Sequence, residues 1–163
     1  MRTPVSKPAV NHTATHVDDS TLREALGYHM KRSFNHVQAD LTRVLKPFEL
    51  RMLTYTALVL ITDNPGLRQS QLAAAMDIER PNLVVIIDEL ERRDLILRER
   101  VPTDRRAYAL QPTLAGRQLY EHALKAVRAH EAQLTQGIDE QTRATVIAVL
   151  RGIEKRLAGG EAP

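Results

Sequence analysis

Arg105 and Arg106 stand side by side behind Pro102, Thr103 and Asp104, and upstream of them Arg80, Pro81 and Asn82 open a run of helical periodicity. A guanidinium offers a planar fork of donors that fits phosphate oxygens and the edge of guanine, and a side-chain amide pairs bidentately with adenine. The chemistry these residues can do is recognition by hydrogen bonds, with no covalent bond made or broken. The chain holds no cysteine, which excludes a thiolate zinc site, a cysteine nucleophile and thiol-based sensing. Neither a nucleophile paired with a base nor a glycine loop for phosphate is visible, so no enzyme is expected. Six histidines are present, but His12 and His16 lie in a polar tail, and His29/His36 and His122/His130 are each two helical turns apart. No metal and no cofactor are expected.

Charge sharpens the point. Net charge is only +3 with a pI of about 9.4, and eighteen arginines outnumber five lysines. Between Glu79 and Arg106, seven arginines face seven acidic residues. Bulk attraction to a polyanion is therefore weak across this segment, and binding to one must come from where each arginine is placed.

The elements that would place them run from Leu67 to Thr113. Leu72, Ala73 and Met76 form one apolar edge of a short helix that turns at Asp77. A second helix starts at Arg80–Asn82, where Pro81 suits the first turn because its missing N–H would have had no partner there. Leu83, Ile86, Ile87 and Leu90 recur at i, i+3, i+4 and i+7 and form its buried face. Arg80, Pro81, Asn82, Val84, Val85 and Glu89 are left facing outward. Leu95–Val101 and Ala107–Gln111 read as two strands around a loop carrying Asp104, Arg105 and Arg106, and Gly66–Arg68 adds a short third strand. The order is a helix-turn-helix followed by a wing.

The ERPNLVVIIDELERRDLI run, the Asp104-x-Arg106 pair and the leucine and threonine that lead from the wing into the next helix resemble the MarR family of winged-helix transcriptional regulators. The resemblance spans roughly residues 22 to 157. It implies a mainly α fold with a small β wing, a homodimer, and a pseudo-palindromic double-stranded DNA operator. The second helix would then enter the major groove, with Asn82 on adenine, Arg80 on guanine or phosphate, and Pro81 at the helix entry. Arg68 would touch phosphate. Arg105 and Arg106 would enter the minor groove while Asp104 orients them. The family commonly has threonine and arginine where this chain has Val84 and Val85. Apolar contact with thymine methyl groups would account for two outward valines and implies an A·T-rich half-site. Asp77 and Asp94 replace glycines of the pattern, and aspartate tolerates the left-handed backbone those turns need.

Flanking the head, residues 1–19 read as a disordered tail and 20–47 as one helix of about seven turns with an apolar seam from Leu22 to Val44/Leu45, ended by Pro47. Residues 48–112 form the DNA-binding region, opened by a buried helix over 48–62. Residues 113–158 give two further helices, the first starting at Thr113 and broken by Gly137, the second capped by Asp139 with a stripe of Val146, Leu150, Ile153 and Leu157. Residues 159–163 are a tail. The long seams suit dimerisation, which also lets two heads of neutral charge span two half-sites. No stretch is apolar enough to span a membrane, and no signal-type core opens the chain, so a cytoplasmic protein is expected. The resemblance further implies a small effector, an aromatic acid or its coenzyme A thioester, held where the terminal helices meet the head. Tyr28, Arg32, His36, Met52 and Tyr55 are the candidate lining, with Arg32 or His36 answering an anion. A winged helix that docks a protein partner without ligand control is the competing reading; steep salt dependence of DNA binding separates the two.

Overall fold

The computed structural model describes the backbone of residues 17–101 and 104–158, and side chains outside residues 101–107. Residues 1–16 of the expected tail over 1–19, with His12 and His16, and the expected tail over 159–163 lie outside the described residues. Seven helices and a three-stranded sheet follow in the order α1 (Ser20–Arg23), α2 (Leu26–Leu45), a 3-10 turn (Lys46–Phe48), α3 (Met52–Asp63), β1 (Leu67–Arg68), α4 (Gln69–Met76), α5 (Arg80–Arg92), β2 (Ile96–Val101), β3 (Asp104–Pro112), α6 (Leu114–Leu134) and α7 (Glu140–Ala158). The fold is mainly α with a small wing, as the sequence pattern requires.

Residues 17–37 and 38–158 fall in separate units. In the first, the expected continuous helix is broken after Arg23. Asp18 accepts the Ser20 amide at 3.0 Å, and Asp19 accepts from Arg23 at 2.7 Å and from the Tyr28 hydroxyl at 2.6 Å. Residues nine apart in a straight helix are separated by about 13 Å along its axis, beyond comfortable reach of an Asp–Tyr bond. The break is what lets Tyr28 meet Asp19. These bonds hold the Asp19 carboxyl down at about 2, the Arg23 bond contributing most.

In the second unit the core gathers around α3, which packs against α4, α5, α6 and β3. Ala57, Leu58 and Ile61 of α3 are fully buried with Leu45, Leu72, Leu83, Ile87, Leu90 and Leu110. Each Leu or Ile so buried contributes roughly 1.5–3 kcal/mol. α3 begins at Met52 rather than Phe48, because Lys46–Phe48 makes the 3-10 turn and Glu49 takes a left-handed φ of 53°. Arg93 holds that corner, donating to the Glu49 and Phe48 carbonyls at 2.6 and 3.0 Å.

The sheet order is β1-β3-β2, all antiparallel. Leu67 pairs with Leu110 and Arg68 with Ala109, so the short third strand forms as expected. β3 is longer than expected and starts at Asp104. Arg100 pairs with Tyr108 and Val101 with Asp104. Arg105, Arg106 and Ala107 thus lie on the strand as a bulge, instead of in a free loop.

Thr113 locks the wing to α6. Its hydroxyl accepts the Gly116 amide at 3.0 Å and donates to the Asp94 carbonyl at 2.6 Å, while its own N–H donates to the Leu95 carbonyl at 3.1 Å. Gly116 sits so close to Leu95 that a Cβ there would overlap the Leu95 carbonyl oxygen. Gly137, at φ 83°, follows the end of α6, and Asp139 caps α7 by accepting from the Thr142 amide at 2.8 Å. Among the described residues, no helix is long and apolar enough to cross a membrane.

Gly116→Ala should lower stability by about 1–3 kcal/mol, since α6 must shift off the wing base to admit the methyl group. A urea-unfolding midpoint equal to that of the wild type would show that this approach carries no strain.

Candidate nucleic-acid interface

The surface is built by one amphipathic helix. Leu83, Ile86, Ile87 and Leu90 are buried, and that commitment turns the opposite side of α5 outward. Arg80, Pro81 and Asn82 are exposed, while Val84 and Val85 are 39% and 62% exposed. Two left-handed aspartates bracket the helix: Asp77 with φ 50° makes the turn from α4, and Asp94 with φ 54° makes the turn into β2. Both aspartates do what the sequence pattern asks of them. Arg68 is exposed at the start of α4, where its backbone N–H donates to the Gln71 side chain at 2.9 Å.

Ion pairs divide α5 lengthwise. Asp88 and Glu91 pair with Arg98 of β2, and Glu89 pairs with Arg51, which precedes α3. Glu89, expected to face outward freely, is instead turned to Arg51 and largely covered. The acidic half of the helix is thereby neutralised from both sides. The half from Arg80 to Val85 carries the unengaged polar and apolar groups. Each pair keeps one partner open to solvent, so it contributes little to stability, about 0–1 kcal/mol; the effect of the pairs is on the field met by an incoming polyanion. The backbones of Asp104, Arg105 and Arg106 lie on β3, and their side chains lie outside the described residues.

Beside this surface runs a groove of about 580 Å³ lined by Gln38 and Thr42 of α2, Arg51, Met52 and Leu53 around the start of α3, and Asn82, Val85 and Ile86 of α5. Of the five candidate effector residues, Met52 lines it. Tyr55 lies one turn further along α3 and is half-buried; burial raises its phenol above the ordinary value, with Arg128 and Asp63 near enough to act on it. Asp63 accepts a 2.7 Å bond from the Tyr120 hydroxyl, which raises Tyr120 as well. Tyr28 and Arg32 belong to the first unit and are engaged with each other, the guanidinium 5.6 Å from the ring centroid and 3.4 Å from the hydroxyl. His36 is exposed there. Arg51, Gln38, Thr42 and Arg128 escaped sequence reasoning because their positions follow from how helices cross. Periodicity within one helix does not report that crossing.

Residues 50–108 match the MarR family. Over 157 residues, 96% of this chain and 94% of the relative, the sequence is 33% identical to a Thauera aromatica protein named for transcriptional regulation of the hcr operon. The chain belongs to the MarR family. A structure of the transcriptional repressor CouR bound to a 23-mer DNA duplex is 34% identical with a TM-score of 0.81, covering 86% of this chain and 99% of that one. CouR from Rhodococcus jostii RHA1 bound to p-coumaroyl-CoA is 30% identical with a TM-score of 0.74, covering 86% and 96%. SlyA, at 19% identity and a TM-score of 0.74 over 86% of this chain and 96% of that one, shares the fold. This MarR-family chain is a DNA-binding transcriptional regulator of the winged-helix type.

Asn82→Ala should relax base preference at one position of each half-site, whereas Arg68→Ala should lower affinity evenly across sequences. Selection from a random duplex library reads both, and an unchanged base preference for Asn82→Ala would remove that residue from base recognition.

Proposed function

We propose that the protein is a homodimeric repressor that reads a pseudo-palindromic operator and leaves it when a small aromatic acid, or the coenzyme A thioester of one, binds. The observation that carries the reading is the outward half of α5, where Arg80, Asn82, Val84 and Val85 share a surface from which the helix's own acids are held away by Arg51 and Arg98. Arg80 and Asn82 reach base edges in the major groove, Pro81 sets the helix entry, and Arg68 meets phosphate. Arg105 and Arg106, with Asp104 as their orienting partner, meet the minor groove.

Two-fold pairing is supported by α7. No residue of that helix is buried, yet Val146, Ile147, Val149, Leu150 and Leu157 are all exposed apolar groups, more than a solvated helix has use for. Effector control is supported by the α2–α3–α5 groove, whose volume suits a ligand of drug size and whose lining includes Asn82 and Val85. An occupant there takes up side chains that the operator also needs. Its binding free energy in the free state is then lost in the DNA-bound state, which is the differential affinity release requires. The likeness to CouR, which has been seen with p-coumaroyl-CoA, supports an acyl-CoA effector. Met52 lines the groove and Tyr55 adjoins it along α3; Tyr28, Arg32 and His36 are the candidates in the first unit.

Gel-shift titration at fixed salt on a duplex selected by the purified protein tests the reading. Arg106→Ala should weaken binding by about 1–3 kcal/mol. Adding p-coumaroyl-CoA to the wild-type complex should lower affinity by roughly 5- to 150-fold. Full affinity in Arg106→Ala would remove the wing from the interface. Insensitivity to p-coumaroyl-CoA and to free aromatic carboxylates alike would contradict effector control.

A further inference from the structure

Val85 is the most exposed residue of the apolar set on α5, at 62% against 39% for Val84, and nothing in the fold requires it. It lines two depressions at once, the groove shared with Asn82 and a second of about 370 Å³ formed with Asp88, Glu89 and Arg92, so it stands on the ridge between them. A β-branched residue on a solvated helix face gives up helix propensity and leaves apolar surface in water. Its χ1 is nearly fixed in a helix, so it presents a rigid methyl surface that loses little entropy on binding.

What that surface meets follows from its neighbours. Asn82 lies one turn earlier on the same side. The next turn is closed by Glu89, held by Arg51, and by Asp88, held by Arg98. On the helix that faces the major groove, the only apolar group a base edge offers is the C5 methyl of thymine. We infer that Val85 is a specificity-determining residue that reads a thymine methyl group next to the base read by Asn82, on the assignment of α5 as the groove-reading helix. A helical turn rises about 5.4 Å and base pairs stack about 3.4 Å apart. The thymine therefore falls one or two base pairs from the adenine that Asn82 contacts.

Deoxyuridine tests this, because it pairs as thymine does and lacks only the methyl group. A duplex selected from a random library by the full-length protein is resynthesised with each thymine replaced in turn by deoxyuridine, and binding is titrated at fixed salt. At one thymine per half-site the wild type should lose about four-fold in affinity, the worth of one buried methyl. That position should lie within two base pairs of the adenine whose selection Asn82→Ala abolishes. Val85→Ala, cut back to its Cβ and so short of the base edge, should bind the thymine and deoxyuridine duplexes equally, at the reduced level, while Val85→Thr, which keeps a γ-methyl group, and Val84→Ala should retain the penalty. Alanine favours helix, so loss of fold does not confound the comparison. Equal wild-type affinity for every deoxyuridine duplex, or an undiminished penalty in Val85→Ala, overturns the assignment. Failure to enrich any duplex would instead contradict the DNA-reading function on which it rests.

Discussion

The arrangement depends on one packing commitment. Leu83, Ile86, Ile87 and Leu90 bury one side of α5 against a core that includes Ala57, Leu58 and Ile61 of α3. A helix at the surface buries one stripe of this width. Once four large side chains occupy it, Arg80, Asn82, Val84 and Val85 have nowhere to go but solvent. Turning the helix to hide the valines would expose four leucines and isoleucines, each worth roughly 1.5–3 kcal/mol. The outward face of α5, proposed above to read DNA, is thus fixed by groups buried in the core.

Charge is handled by the same placement. With as many acids as arginines between Glu79 and Arg106, the head has no net attraction for a polyanion. Local arrangement supplies what the sum does not: Arg98 and Arg51 engage Asp88, Glu91 and Glu89, so the carboxylates within α5 are held at its C-terminal half, away from Arg80 and Asn82. The wing is fixed in turn by Thr113, whose side chain ties Asp94 to the first turn of α6. Gly116 is the only residue type that the close approach to Leu95 admits.

The features legible in the sequence are those set by short-range chemistry. Pro81 marks the start of α5, the i, i+3, i+4, i+7 spacing marks its buried face, Asp77 and Asp94 mark the left-handed turns, and Thr113 and Asp139 mark helix starts. The interruption at Glu24 and Ala25 leaves no mark in the sequence because the apolar seam runs through it in register; Leu22 and Leu26 are both exposed, so no burial enforces a continuous helix, and the bonds to Asp19 decide. Pro47 signals an end to α2 but not the 3-10 turn that follows, which Arg93 holds from just beyond α5. Asp104-x-Arg106 carries no β signal and reads as a loop, whereas cross-strand pairing of Val101 with Asp104 extends β3. Of the groove beside Asn82 the sequence marks only Met52, since its walls come from three helices.

The N-terminal half of α5 is proposed to read the major groove. Amide chemical-shift mapping of the full-length protein, titrated with a duplex of its own selection, addresses it directly. The largest perturbations should fall on Arg80–Val85, including the Asn82 side-chain amide, with a second group on the wing around Arg105 and Arg106. Perturbations confined to α6 and α7, with Arg80–Val85 unmoved, would contradict it.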